Sequence, residues 1–118
     1  MTVAQMIAKF DTMYPNEFTS AEKEDWLNEC DFLCYKEIMS HYEGVPEFDG
    51  HSTQTEELLI GTPYDRLYES YLATKMYLAR EEIDRYNNFA DKFAEEYKEW
   101  GNFLNRTNTI KQKAVKFF

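Results

Sequence analysis

The chain has 118 residues, enough for one domain, and its 43% hydrophobic content is that of a folded rather than a disordered protein. A formal charge of −9 disfavours simple electrostatic binding to DNA, and no apolar run approaches the ~18 residues needed to span a membrane. The aromatic share of 17% is high and predicts rings at interfaces as well as in a core.

The first predicted helix runs from about Val3 to Met13. Thr2 and Gln5 form a capping box at its start, Val3, Met6, Ile7 and Phe10 form its apolar face, and Pro15-Asn16 ends it. A second capping box, Thr19 with Glu22, opens a helix over about 20–41. Its apolar face reads Trp26, Leu27, Cys30, Leu33, Cys34 and Ile38, and Gly44 and Pro46 stop it. Residues 43–61 read as a mobile loop, rich in Gly, Pro, Ser and Thr.

The longest predicted element covers 63–105. Thr62 is placed to cap it, Pro63 suits the first helical position, and neither Pro nor Gly recurs until Gly101. Tyr68, Leu72, Met76, Ala79, Ile83, Tyr86, Ala90, Phe93, Tyr97, Trp100 and Leu104 lie on one stripe with the 3.5-residue period of a lengthwise seam. Unbroken, this helix would be a rod of roughly 65 Å. The residues before it are too few to cover such a rod, so part of the seam is expected to meet another subunit. The weak point is Asn87-Asn88, two poor helix formers, and a break there would give a helical hairpin. The predicted core includes Ile7, Phe10, Leu27, Cys30, Leu33, Leu72, Ile83, Phe93 and Tyr97.

Charge is unevenly placed. Residues 1–105 carry 22 acids and nine Lys or Arg, a charge of −13, whereas 106–118 carry Arg106, Lys111, Lys113 and Lys116 and no acid, a charge of +4. An acidic body with a basic tail is a pattern for contacting an acidic neighbour, and a frayed, solvated tail is the plainer reading. The start of the chain has no basic segment followed by an apolar core, so no export is predicted, and Cys30 and Cys34 are expected as reduced thiols.

The search for chemistry returns no site. Cys30, Cys34, Glu37 and His41 stand at helical spacing, but a metal needs three or four converging ligands, and these thiols lie on a face shared with leucines. Phosphate-loop, dinucleotide and serine-nucleophile signatures are missing. The expectation is therefore no catalytic residue, no cofactor and no metal. The aromatic stripe interleaves with Asp91, Glu95, Glu96 and Glu99, so it predicts core or protein interface rather than a nucleic-acid surface.

Five stretches in order carry a resemblance. They are Thr2-Val3-Ala4-Gln5-Met6-Ile7, Trp26-Leu27-Asn28-Glu29-Cys30-Asp31, Leu58-Leu59-Ile60-Gly61-Thr62-Pro63-Tyr64-Asp65, Asp84-Arg85-Tyr86-Asn87-Asn88-Phe89 and Trp100-Gly101-Asn102-Phe103-Leu104-Asn105-Arg106-Thr107. Over residues 2–107 the pattern resembles small prophage proteins of Gram-positive bacteria from the head-morphogenesis region, similar to the head–tail connector, or adaptor, proteins of long-tailed bacteriophages. The resemblance implies an all-α subunit, with two shorter helices packed on a long, bent or broken C-terminal one. It also implies a homo-oligomeric ring of about a dozen copies, closed by rotational symmetry, beneath the portal. Its partners would be other copies of itself, the portal and tail-completion proteins, with DNA only as transiting cargo and no membrane. It would reside in the host cytoplasm during assembly and then in the virion. Proteins of the family it resembles often carry Asn or Gly near the positions of Arg80 and Glu81, and this chain has neither.

On this reading residues 1–107 form one connector-like domain and 108–118 a flexible basic tail. The expected subunit interface comprises Tyr86, Phe93, Tyr97, Trp100, Arg106, Lys111, Lys113, Lys116, Phe117 and Phe118. The alternative reading is a small cytosolic helical binding or regulatory module acting as a dimer.

Overall fold

The computed structural model describes residues 1–108. In chain order they form α1 (Val3–Met13), α2 (Ser20–Glu37), a 3-10 turn at Met39–His41, α3 (Arg66–Ala79) and α4 (Ile83–Thr107). Thr2 and Glu57 form an isolated antiparallel bridge. The all-α class is as expected, with two N-terminal helices packed on a long C-terminal element that is broken into two.

Both capping boxes form. Thr2 Oγ1 accepts from the Gln5 N–H at 3.1 Å while Gln5 Oε1 accepts from the Thr2 N–H at 2.9 Å. Thr19 and Glu22 repeat the exchange at 3.1 and 3.0 Å. Each box satisfies two backbone donors that a helix start leaves without partners. The end of α2 comes earlier than expected. Ile38 leaves the helix at φ −125° after Glu37, ahead of the Gly44 and Pro46 stop signals. Its side chain is directed onto Gly101 of α4, where a Cβ would sit 3.3 Å from Ile38 Cδ1, so tertiary packing sets this boundary.

The start of α3 is also displaced. Thr62-Pro63 is a cis peptide in a turn closed by Tyr64 N–H to the Gly61 carbonyl at 3.0 Å. Pro63 thus precedes the helix, and Thr62 hydrogen-bonds the Asp65 carboxylate at 3.3 Å rather than capping.

The 63–105 helix breaks at 80–82 and not at Asn87-Asn88, which lie inside α4. Glu81 adopts φ 60°. Glu81 N–H bonds to the Leu78 carbonyl at 3.0 Å and Glu82 N–H to the Tyr77 carbonyl at 2.9 Å. This paired closure is the Schellman stop, usually made with glycine because the left-handed conformation crowds a Cβ. The chain reverses there. Tyr77 stacks on Phe89, Tyr71 meets Phe93 edge-on and Tyr64 stacks on Phe103, so partners ascend α4 as they descend α3. An antiparallel hairpin replaces the rod, and the molecule's longest dimension is 52 Å. The two halves of the seam pack on each other and leave Tyr86, Phe93 and Tyr97 half-buried, so an overlong helix is no longer an argument for neighbours.

The core lies where α1, α2 and α3 meet. Val3, Met6, Ile7 and Phe10 of α1, Leu27, Cys30 and Cys34 of α2, and Leu67, Tyr68, Leu72, Ala73 and Met76 of α3 are buried together with Leu58, Ile60 and Trp100. Ile7, Phe10, Leu27, Cys30 and Leu72 are thus buried as predicted. Leu33, Phe93 and Tyr97 are only half-buried, and Ile83 is 55% exposed beside the hairpin turn. For Leu33 the reason is a rotated helix face. The buried stripe of α2 is Lys23, Leu27, Cys30, Asp31 and Cys34, so two charged residues occupy places that hydrophobicity alone assigned to Trp26 and Leu33. Lys23 is accommodated because its ammonium donates to Asp11 Oδ1 at 2.6 Å and to Asn16 Oδ1 at 3.1 Å.

The segment 43–61, expected as a loop with few internal contacts, makes many in its second half. The Val3 and Ala4 N–H groups donate to the Glu56 and Gln54 carbonyls at 3.0 and 2.9 Å, and Leu58 N–H donates to the Met1 carbonyl at 3.0 Å. The first two bonds use backbone donors at the start of α1 and the third holds the Met1 carbonyl before it, so the loop secures that helix.

Candidate functional site

Two places deserve comparison as sites, a sealed polar cluster and an open aromatic surface. The cluster is centred on Asp31, which is fully buried on α2. Asp31 Oδ1 accepts from the Tyr68 hydroxyl of α3. Asp31 Oδ2 accepts from His51 Nε2 at 2.6 Å and from the Leu59 N–H at 3.2 Å. The Tyr68 oxygen in turn accepts from the Ile60 N–H at 2.9 Å. His51 is held at its backbone as well, donating to Asn28 Oδ1 at 2.7 Å, and its ring meets Phe48 edge-on. Its Nδ1 lies 3.5 Å from Glu56 Oε1.

The hydrogen bond to Asp31 raises the His51 pKa above the ordinary histidine value, overcoming the opposing effect of burial. Glu56 is held down at about 2, chiefly by the Ser52 hydroxyl and backbone N–H. Burial pushes the Tyr68 hydroxyl and the Cys30 thiol well up, so both stay protonated. The His51 side chain is 3% exposed. Such a cluster can tie α2, α3 and the 51–60 loop together, with the His51 and Asp31 side chains closed off from solvent. The sequence reading missed it. The available signal was Asp31 at helical spacing from Leu27 and Cys34, a carboxylate on an apolar stripe.

Cys30 and Cys34 lie in the core, as packing predicted, and are not bonded to each other. Glu37 and His41, the other two residues of that pattern, are exposed at and beyond the end of α2. The four do not converge. Among the described residues, no group of three or more His, Cys, Asp or Glu is arranged to hold a metal.

The expected interface residues are divided by the structure. Trp100 is buried in the chain's own core at 3% exposure and supports the surface from beneath. Tyr86, Phe93 and Tyr97 are half-buried along α4, and Arg106 is exposed in its last turn. Phe93 stacks on Tyr97, and the Tyr97 hydroxyl donates to Glu37 of α2 at 2.8 Å. Lys111, Lys113, Lys116, Phe117 and Phe118 lie outside the described residues.

Beside this aromatic row, α2 and α3 leave an open groove of about 620 Å³ lined by Glu29, Phe32, Leu33, Lys36, Glu37 and Tyr71. Phe32 forms part of its wall and is backed by Phe48 at 4.9 Å between ring centres. Gly50, at φ 103°, lets the loop lie close behind Phe32, since a Cβ there would meet the ring at 3.2 Å. The Tyr71 hydroxyl donates to Glu29 at 3.1 Å, and Lys75 pairs with Glu29 at 2.8 Å. The groove therefore has an apolar, aromatic wall and a mixed charged rim. The chain matches no family model, no curated protein sequence and no solved structure. No helix among the described residues is long and apolar enough to cross a membrane.

Proposed function

We propose that this chain is a structural subunit of the phage head–tail connector type, which assembles as a ring beneath the portal and completes the head without catalysis. The observation that carries the proposal from the geometry is the half-exposed apolar surface of Phe32, Leu33, Tyr71, Phe93 and Tyr97 along α2, α3 and α4. Apolar groups gathered around an open groove are the kind of surface that subunit contacts cover. The ordered resemblance over residues 2–107 gives that surface its context. The acidic body adds support, because a channel lined with negative charge lets DNA pass without sticking. The all-α fold is compatible with this role but not specific to it.

The test is a native mass measurement of the full chain, alone and with a purified portal ring, followed by a head-completion assay. A ring of copies on the portal and restored head completion are expected. A discrete dimer that ignores the portal would instead support the regulatory-module reading. Deleting 108–118 should leave the thermal midpoint nearly unchanged, because among the described residues the buried core ends by Trp100 and its half-buried surroundings by Leu104. The same deletion should abolish incorporation into heads. Heads completed equally well by the truncated chain would remove the tail from the assembly surface.

A further inference from the structure

We propose that the groove between α2 and α3 receives the Lys- and Phe-containing segment 109–118 of a second copy of this chain. The inference rests on the ring reading above and names the contact that would close each step of the ring.

Three observations carry it. The first is chemical fit. The segment Thr109-Ile110-Lys111-Gln112-Lys113-Ala114-Val115-Lys116-Phe117-Phe118 has three Lys, no acid and two adjacent Phe. The groove offers Phe32, Leu33 and Tyr71 to rings; on its rim Glu29 is already paired with Lys75 at 2.8 Å, while Glu37, among the described residues, accepts only from the Tyr97 hydroxyl and leaves a carboxylate for a lysine. Aromatic side chains in a partly apolar groove supply buried area, and the Glu37 carboxylate can orient a lysine.

The second observation is charge on a larger scale. Residues 1–108 carry 22 acids against ten Lys and Arg, a charge of −12, and 109–118 carry +3. A second copy's body therefore attracts the segment from beyond contact distance.

The third is where α4 delivers the segment. Phe93 lies against Tyr71, whose hydroxyl reaches Glu29, while Tyr97 reaches Glu37 and Gly101 faces Ile38. Going from Phe93 to Gly101, α4 therefore runs from the Glu29 end of the groove past its Glu37 end. The helix then continues to Thr107, ~15 Å beyond Tyr97 at 1.5 Å per residue. To fill its own groove, the segment would have to reverse and cover that ~15 Å, then the ~12 Å of helix from Glu37 to Glu29. Ten extended residues reach at most ~35 Å, which leaves little for the reversal.

The experiment uses the full chain with a photoreactive benzoylphenylalanine at position 118. Isotopically light copies carrying the probe are mixed with heavy unlabelled copies, with and without a portal ring, irradiated, and mapped by mass spectrometry. Light–heavy cross-links to 29–37 or Tyr71 are expected. Leu33→Asp should lower their yield about tenfold, the order expected for losing one buried apolar contact. Leu33 is half-exposed, so this variant should keep its helical spectrum and melting midpoint. Should it nevertheless fail to fold, Glu37→Lys, at an exposed position, replaces it and should also reduce the yield.

Cross-links within one chain, or to any other face, would overturn the inference, as would a yield untouched by the groove variants. Native mass of the same mixtures separates the two readings. Rings with cross-links elsewhere sink the groove assignment alone. Groove cross-links without rings sink the ring reading alone, and neither rings nor cross-links sink both.

Discussion

The two sides of α2 present opposite solutions to the same problem. Its inner face carries Lys23 and Asp31 into the interior, yet nearly every charged atom there has a partner. Its outer face carries Phe32 and Leu33 toward solvent beside an open groove. Polar residues inside and apolar ones outside invert the usual arrangement, and each inversion has its own physical consequence. The inner network gains direction and specificity from hydrogen bonds but fails badly when one member is lost. The outer surface adds little to the folded monomer and is available for contacts.

The strongest way to break the comparison is Asp31→Ala. It leaves the His51 ring, the Tyr68 hydroxyl and the Leu59 N–H without their acceptor, and should cost about 3–5 kcal/mol, the range for removing one partner of a buried charge pair. Chemical denaturation reads it, and a loss under about 1 kcal/mol would mean that water replaces the carboxylate. Next is Leu72→Ala in the fully buried apolar core, expected to cost ~2–5 kcal/mol through lost transfer energy and the cavity left behind.

A pH series sharpens the role of His51. Its folded pKa is raised, so its contribution is fully present below the unfolded value near 6.5. That contribution is lost as pH rises through the folded value. The melting midpoint of the wild type relative to His51→Gln should therefore fall on the alkaline side of 6.5. Parallel curves for the two proteins across that window would remove the imidazolium from the stability argument. The loss should be smaller than for Asp31→Ala, because neutral imidazole can still donate from Nε2.

Glu81→Gly should stabilise the hairpin by about 1 kcal/mol, since glycine adopts the left-handed stop without the Cβ conflict. A destabilised variant would show that the Glu81 side chain contributes more than its strain costs. The smallest effect belongs to the outer surface. Tyr97→Phe removes one hydrogen bond, to the exposed Glu37, and should change monomer stability by less than about 1 kcal/mol. Its melting midpoint should stay within a few degrees of wild type.

What was legible in the sequence was local. Both helix starts were readable because a capping box is a contact between residues three apart. The apolar face of α1 and the pairing of one long stripe with the rest of the core followed from periodicity. The position of the reversal was not readable. Glu81 in a left-handed conformation has no propensity signature, and the aromatic pairs Tyr77–Phe89 and Tyr71–Phe93 that hold the hairpin exist only after the chain has turned. Nor was the buried cluster. Asp31, His51 and Tyr68 are 17 to 37 positions apart, and their charges and hydroxyl are acceptable inside only when all three meet. The sequence by itself determined which segments are helical and which end of the chain is basic. The tertiary structure alone decided where the long helix stops, which face of α2 is inside, and that its outer face is left open. Those outcomes depend on packing and hydrogen-bond satisfaction between distant residues, terms that no local window contains.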